Sequence, residues 1–246
     1  MAVSPLVRYS WAVELTIDPR FNGPPDSGHG GYVCGVVAGL LSGPARVRLH
    51  RPPPLGRGLA VRRDGDGVSL LDVDAVVATA TPTAVDIALP SPVGFRDAEA
   101  ASRAYPGFRD HVFPGCFACG PARAVDDGLR IFPGPVAGRG LVAAPWIPER
   151  WLADGQGAVR PEFIWSALDC PSGWAPFAAA GGGTPMLLGE LAADLLEPVR
   201  VGERCVVIAW SLGGTGRKHR ADAALLGEDG APRAVATATW ITLSPR

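Results

Sequence analysis

Two stretches of the chain are apolar on nearly every helical face, "GGYVCGVVAGLL" at 30–41 and "PEFIWSALDCPSGWA" at 161–175. A helix that is apolar all round is normally buried, so the pattern predicts two buried helices, Gly30–Leu41 and Pro161–Ala175. Each is preceded by a strand-like segment, Trp11–Ile17 and Leu141–Ile147. Each is followed by three alternating or β-rich units. In the first half these are Ala45–Leu49, Leu59–Arg63 with Val68–Leu71, and Ala75–Thr81. In the second they are Leu188–Leu196, Arg204–Ser211 with Ala221–Leu226, and Arg233–Leu243. "RRDGDGV" (62–68) and "GEDGAP" (227–232) carry Asp-Gly signals between such runs, which predicts hairpins.

The two halves repeat one another. Val77–Thr81 is identical to Val235–Thr239, 158 positions on, and the Pro52/Gly56 frame recurs as Pro198/Gly202, 146 positions on. A longer hairpin in the second copy accounts for the difference between the two offsets. One apolar helix per antiparallel sheet means that the sheet wraps the helix, an α+β architecture. The expected organisation is a first repeat over residues 1–81, a linker over 82–115 with a short polar helix near Asp97–Tyr105, and a second repeat over 116–246. The two sheets are expected to join into one.

With 47% hydrophobic and 19% charged residues, the 246-residue chain has enough apolar material for a full core. A net charge of −1 and the lack of a long basic run argue against nucleic acid as a partner. The segment "MAVSPLVRYSWAVELTID" has no continuous apolar core, which reads as no signal peptide, and Tyr32–Leu41 is too short to span a bilayer. Five cysteines is an odd, low count with no readable disulfide framework, so a soluble protein of the reducing cytoplasm is expected, with no membrane partner. A homo-oligomer is compatible with this composition.

The candidate chemistry sits at the helix starts. "GHGGYV" (28–33) places His29, Gly30 and Gly31 where the first helix begins. Helix N-termini present unpaired N–H groups, and glycine lets a ligand carbonyl come close, the requirements of an oxyanion hole. A flexible turn with an N-cap accounts for the same residues. Asp169 lies among Phe163, Ile164, Trp165, Ala167 and Leu168, and a buried carboxylate is costly unless it is paired or has a task. Shifting by 131 positions pairs Asp169 with Ala38, and His29-Gly30-Gly31 with Arg160-Pro161-Glu162. The first copy keeps the glycines and lacks the acid; the second keeps the acid and lacks the glycines. A single composite site, Gly30/Gly31 with Asp169, explains this asymmetry. Drift at a helix seam, with Asp169 as a late cap or an arginine partner, is the alternative.

Two further groups have simpler readings. Cys116 and Cys119 form one C-x-x-C, whereas a structural zinc site needs four ligands, so no metal is expected; Cys34, Cys170 and Cys205 read as core. "GRKHR" (216–220) reads as a solvated hairpin flank, or, with Arg217 and Lys218, as a clamp for phosphates.

"GCFACGPARAVDDGLRIFPGP" (115–135) resembles the Cys-Phe-x-Cys-Gly…Gly-Leu opening of hotdog-fold, PaaI-like thioesterases. "RPEFIWSALDCPSGWA" resembles the His-Gly-Gly-helix-Asp element that follows it, with Asp169 at the acid position. His29-Gly30-Gly31-Tyr32 resembles the same element, and also the Gly-Gly start of double-hotdog acyl-CoA thioesterases. The resemblance implies a double hotdog, two sheets each wrapping one long apolar helix as a pseudo-dimer in one chain. It implies hydrolysis of an acyl-CoA or related acyl thioester, with coenzyme A esters as small-molecule partners and no cofactor. Gly30, Gly31 and Tyr32 N–H groups would hold the oxyanion, Asp169 would act as general base or nucleophile, His29 would shape the loop, and Arg217 and Lys218 would meet the coenzyme phosphates. Two departures stand out: Trp240 occupies the place near the last strand where these enzymes often carry glutamine, and Arg160-Pro161-Glu162 replaces His-Gly-Gly. The same residues leave room for a non-catalytic acyl-CoA or apolar-ligand binder, or for a hydratase or dehydratase using His29 with Asp169.

Overall fold

The computed structural model describes residues 14–243. Its strands are β1 (Glu14–Thr16), β2 (Ala45–Leu49), β3 (Gly58–Asp64), β4 (Gly67–Asp72), β5 (Ala75–Pro82), β6 (Gly134–Val136), β7 (Leu141–Trp146), β8 (Met186–Leu195), β9 (Cys205–Thr215), β10 (Lys218–Leu226) and β11 (Pro232–Thr242). The helices are α1 (Gly30–Ala38), α2 (Phe95–Ser102) and α3 (Pro161–Ala179). Trp11–Val13, part of the first expected strand, lie outside the described residues.

All eleven strands form one antiparallel sheet in the order β1-β3-β4-β5-β2-β8-β11-β10-β9-β7-β6. From each edge inward the order is the same, β1-β3-β4-β5-β2 and β7-β9-β10-β11-β8, with β6 as an extra edge strand. The expected two sheets are therefore one, joined where β2 pairs with β8 at Val47↔Leu191 and Arg48↔Glu190. Alternation sets the faces. In β2, Ala45 and Val47 point into the core while Arg46 and Arg48 face out.

Both α1 and α3 lie on the inner face, and their side chains fill one core with Val47, Leu70, Leu191, Val207 and Leu225. Helix α1 stops at Ala38, short of the expected Leu41, because the chain tightens: Leu40 N–H reaches Val37 O and Leu41 N–H reaches Ala38 O. Helix α3 runs past the expected Ala175 despite internal Pro171 and Pro176, since its burial outweighs two missing N–H bonds, and it ends where Gly181 adopts φ +72°. The segment 82–115 is more than a tether. Its helix starts two residues earlier than expected and packs Ala98 and Ala101 on the outer sheet face against Leu141, Ala143, Val206 and Ile208. No helix among the described residues is long and apolar enough to cross a membrane.

Candidate active site

The two buried helices cross where α1 has no side chains. A Cβ on Gly31 would lie 2.5 Å from Asp169 Cβ and 2.6 Å from Trp165 O; one on Gly35 would lie 2.5 Å from Glu162 Cα. Gly31 and Gly35 are one turn apart on one face of α1, and the face of α3 they meet runs Glu162, Trp165, Ser166, Asp169. The glycines thus admit α3, not a ligand. The close crossing lets Gly31 N–H donate to Asp169 Oδ2 at 2.6 Å.

His29 caps α1. Its Nδ1 accepts from Tyr32 N–H at 3.2 Å, which leaves the ring proton on Nε2, 3.3 Å from Asp169 Oδ2. The composite expectation needs correcting at two of its three donors. Gly31 N–H is taken by Asp169, and Tyr32 N–H is taken by His29. The Tyr32 ring also turns away from the site, stacking on Phe21 at 4.1 Å. Gly30 N–H, at the first position of the helix, has no acceptor among the described residues. Asp169 Oδ1 is buried with no hydrogen-bond partner among the described residues. One carboxylate oxygen is anchored and the other is free.

Burial pushes the Asp169 carboxyl up to about 6, against the pull of His29 and the Gly31 N–H. Burial pulls the His29 imidazole down, but Asp169 and Cys116 outweigh it, so its affinity for a proton rises. Cys116 Sγ lies 3.7 Å from both Cys119 Sγ and Cys170 Sγ, and these two thiols hold it well below the usual thiol range. Sequence reasoning reads Cys170 as core and does not bring it to the C-x-x-C; only the fold does.

A cavity of about 740 Å³ is lined by Gly30 and Asp169 together with apolar groups such as Leu49, Phe113, Trp174, Met186 and Trp240. Trp240 forms wall and leaves the cavity open. Its indole N–H donates to Ser172 Oγ at 2.9 Å, and its ring would meet a Cβ on Gly173 at 2.7 Å. Arg217 and Lys218 do not line this cavity. Arg217 Nε donates to Thr242 O, and Lys218 lines a separate depression with Arg48 and Arg220. The cation at the cavity that sequence reasoning misses is Arg51, on the exposed turn after β2.

No family model matches the sequence, and no curated protein matches it. Among solved structures, the chain is similar to a protein of Novosphingobium aromaticivorans assigned as a thioesterase, at TM-score 0.60 and 14% identity, covering 99% of this chain and 100% of that one. It is similar to the tesB protein of Mycobacterium avium subs paratuberculosis at TM-score 0.61 and 11% identity, covering 95% and 94%. At such identities the likeness speaks for architecture alone: the chain shares the overall fold of these two structures.

Proposed function

We propose that the chain hydrolyses an acyl-CoA or related acyl thioester at one composite site between two hotdog repeats, 1–81 and 116–246, carried as a pseudo-dimer in one chain. The observation that carries this reading is Asp169: Oδ2 is fixed by Gly31 N–H at 2.6 Å while Oδ1, buried, has no partner among the described residues. The repeated strand order and the full-length likeness to a thioesterase structure support it.

In this reading the thioester lies in the apolar cavity with its carbonyl oxygen on Gly30 N–H, at the positive end of α1. A donor so placed is worth about 3 kcal/mol in the transition state. Asp169 Oδ1 takes a proton from a water as that water attacks the carbonyl carbon. The C–S bond breaks, the thiolate leaves, and the proton passes to it. Direct attack by Oδ1, through an anhydride, is the other route. His29 keeps the carboxylate aimed and donates from Nε2. The test is free-thiol release from a panel of acyl-CoAs by the purified protein. Hydrolysis of at least one ester supports the reading; binding without turnover across the panel favours a carrier.

A second reading rests on the 3.3 Å approach of His29 Nε2 to Asp169 Oδ2, a histidine–acid pair suited to moving protons in a hydratase or dehydratase. Adding enoyl-CoA and 3-hydroxyacyl-CoA to the same panel separates the two, since that reaction releases no thiol.

A further inference from the structure

A lone C-x-x-C lacks ligands for zinc, but the fold supplies them. Cys116 and Cys119 lie in the loop that follows the linker, Cys170 sits in the middle of α3, and His29 stands at the head of α1. Cys116 Sγ is 3.7 Å from Cys170 Sγ and 3.7 Å from Cys119 Sγ, while Cys170 Sγ is 3.3 Å from His29 Nε2. His29 Nε2, Cys116 Sγ and Cys170 Sγ all lie within 4.8 Å of one another. All four residues are buried, and every cysteine is a free thiol.

The separations among His29, Cys116 and Cys170 suit one coordination shell, while Cys119 Sγ, 3.7 Å from Cys116 Sγ, lies outside that 4.8 Å group and must turn inward to complete it. A tetrahedral zinc with Zn–S near 2.3 Å and Zn–N near 2.0–2.1 Å has S···S edges of about 3.8 Å and S···N edges of about 3.6 Å. A disulfide would instead need sulfurs about 2 Å apart. The soft, thiolate-rich donor set selects zinc over magnesium or calcium.

We infer that Cys116, Cys119, Cys170 and His29 bind one zinc ion. With three thiolates and an imidazole the shell is closed, so the ion is structural. It joins the head of α1, the loop after the linker and the middle of α3, the segments that set Asp169 in place. His29 would ligate through Nε2, moving its ring proton to Nδ1 and giving up the Tyr32 cap bond. His111 provides outer support: its Nδ1 accepts from Phe113 N–H at 3.0 Å, and its Nε2 points at Cys119 Sγ at 3.3 Å. This inference does not depend on the hydrolytic reading, but with zinc bound His29 Nε2 no longer donates to Asp169 and the Gly31 N–H alone aims the carboxylate.

The test is metal content of the full chain, loaded with zinc under reducing conditions and desalted. One zinc per chain is expected, and cobalt(II) in its place should give the intense visible bands and near-ultraviolet sulfur-to-metal absorption of a tetrahedral thiolate site. Cys116→Ser and Cys170→Ser should each lower zinc about tenfold or more, whereas Cys205→Ser, outside the cluster, should keep it. Should the serine variants fail to fold, the wild-type protein carries the test alone: Cys116, Cys119 and Cys170 should resist alkylation until a chelator is added. Asp169→Asn should keep its zinc whatever its activity, which separates this inference from the catalytic one. Less than half a zinc per loaded wild-type chain, or no thiolate–cobalt absorption, overturns it.

Discussion

Gly31 N–H donates to Asp169 Oδ2 at 2.6 Å, across a helix crossing that leaves no room for a side chain on α1. This contact couples the packing of the two halves to the aim of the acid. A Cβ at Gly31 would meet Trp165 O at 2.6 Å and Ser166 Cα at 3.0 Å, backbone atoms that cannot rotate away. At Gly30 a Cβ would meet Leu188 Cδ2 at 2.9 Å, the end of a flexible side chain, with Leu188 Cβ at 3.1 Å and Asp169 Oδ2 at 3.3 Å, and none of these is main chain. Gly31→Ala should therefore destabilise by about 1–3 kcal/mol, lowering Tm by roughly 3–10 °C. Gly30→Ala should melt close to wild type yet turn over thioester more slowly, because its methyl sits beside Asp169 and the free N–H. Thermal melts and thiol release on both variants check this; equal melting of the two would contradict the crossing argument.

A second buried acid gives a pH-dependent prediction away from the site. Asp222 faces Trp210 and Thr237 in the sheet, and its Oδ1 has no partner among the described residues. Burial raises its carboxyl above the ordinary 3.8, against hydrogen bonding from Thr237 and the charge of Arg220. A folded chain that holds this proton more tightly than the unfolded one loses stability as pH rises between the two values. The cost is full above the folded value and absent below the unfolded one. Asp222→Asn should raise Tm at pH 7, with the gain shrinking as pH falls towards 3.8. A gain that grows on acidification would contradict the assignment.

The cavity lining separates cations that sequence alone treats as equivalent. Arg51 lines the cavity; Arg217 and Lys218 do not. Arg51→Ala should raise KM for an acyl-CoA several-fold, by weakening a phosphate contact of about 1 kcal/mol. Arg217→Ala with Lys218→Ala should leave KM within about twofold. The opposite ranking in steady-state kinetics would return the phosphate site to the hairpin.

Period-2 alternation made the strands legible: β2 is observed at the expected Ala45–Leu49, and most other strand ends lie within about two residues of expectation. Asp169 was legible because an acid in an all-apolar helix has few structural explanations. The donors were not. His29 takes the Tyr32 N–H through a side-chain cap, and Asp169 takes the Gly31 N–H through a helix crossing, contacts that residue identity does not encode. The thiol cluster was hidden for the same reason, with Cys116 and Cys170 54 positions apart and His29 141 positions from Cys170. Arg51 reads as an ordinary turn residue until the fold closes the cavity beside it.

In the proposed hydrolysis the free oxygen of Asp169 performs the chemistry. Asp169→Asn nearly preserves shape, and its amide oxygen can still accept from Gly31 N–H, so the fold should survive. The most direct measurement is the rate of thiol release by wild type and Asp169→Asn on the best acyl-CoA of the panel, with circular dichroism and Tm recorded on the same samples. The expected result is a folded variant whose kcat is lower by about 10²–10⁴-fold. A folded Asn variant that hydrolyses the ester at the wild-type rate would contradict it.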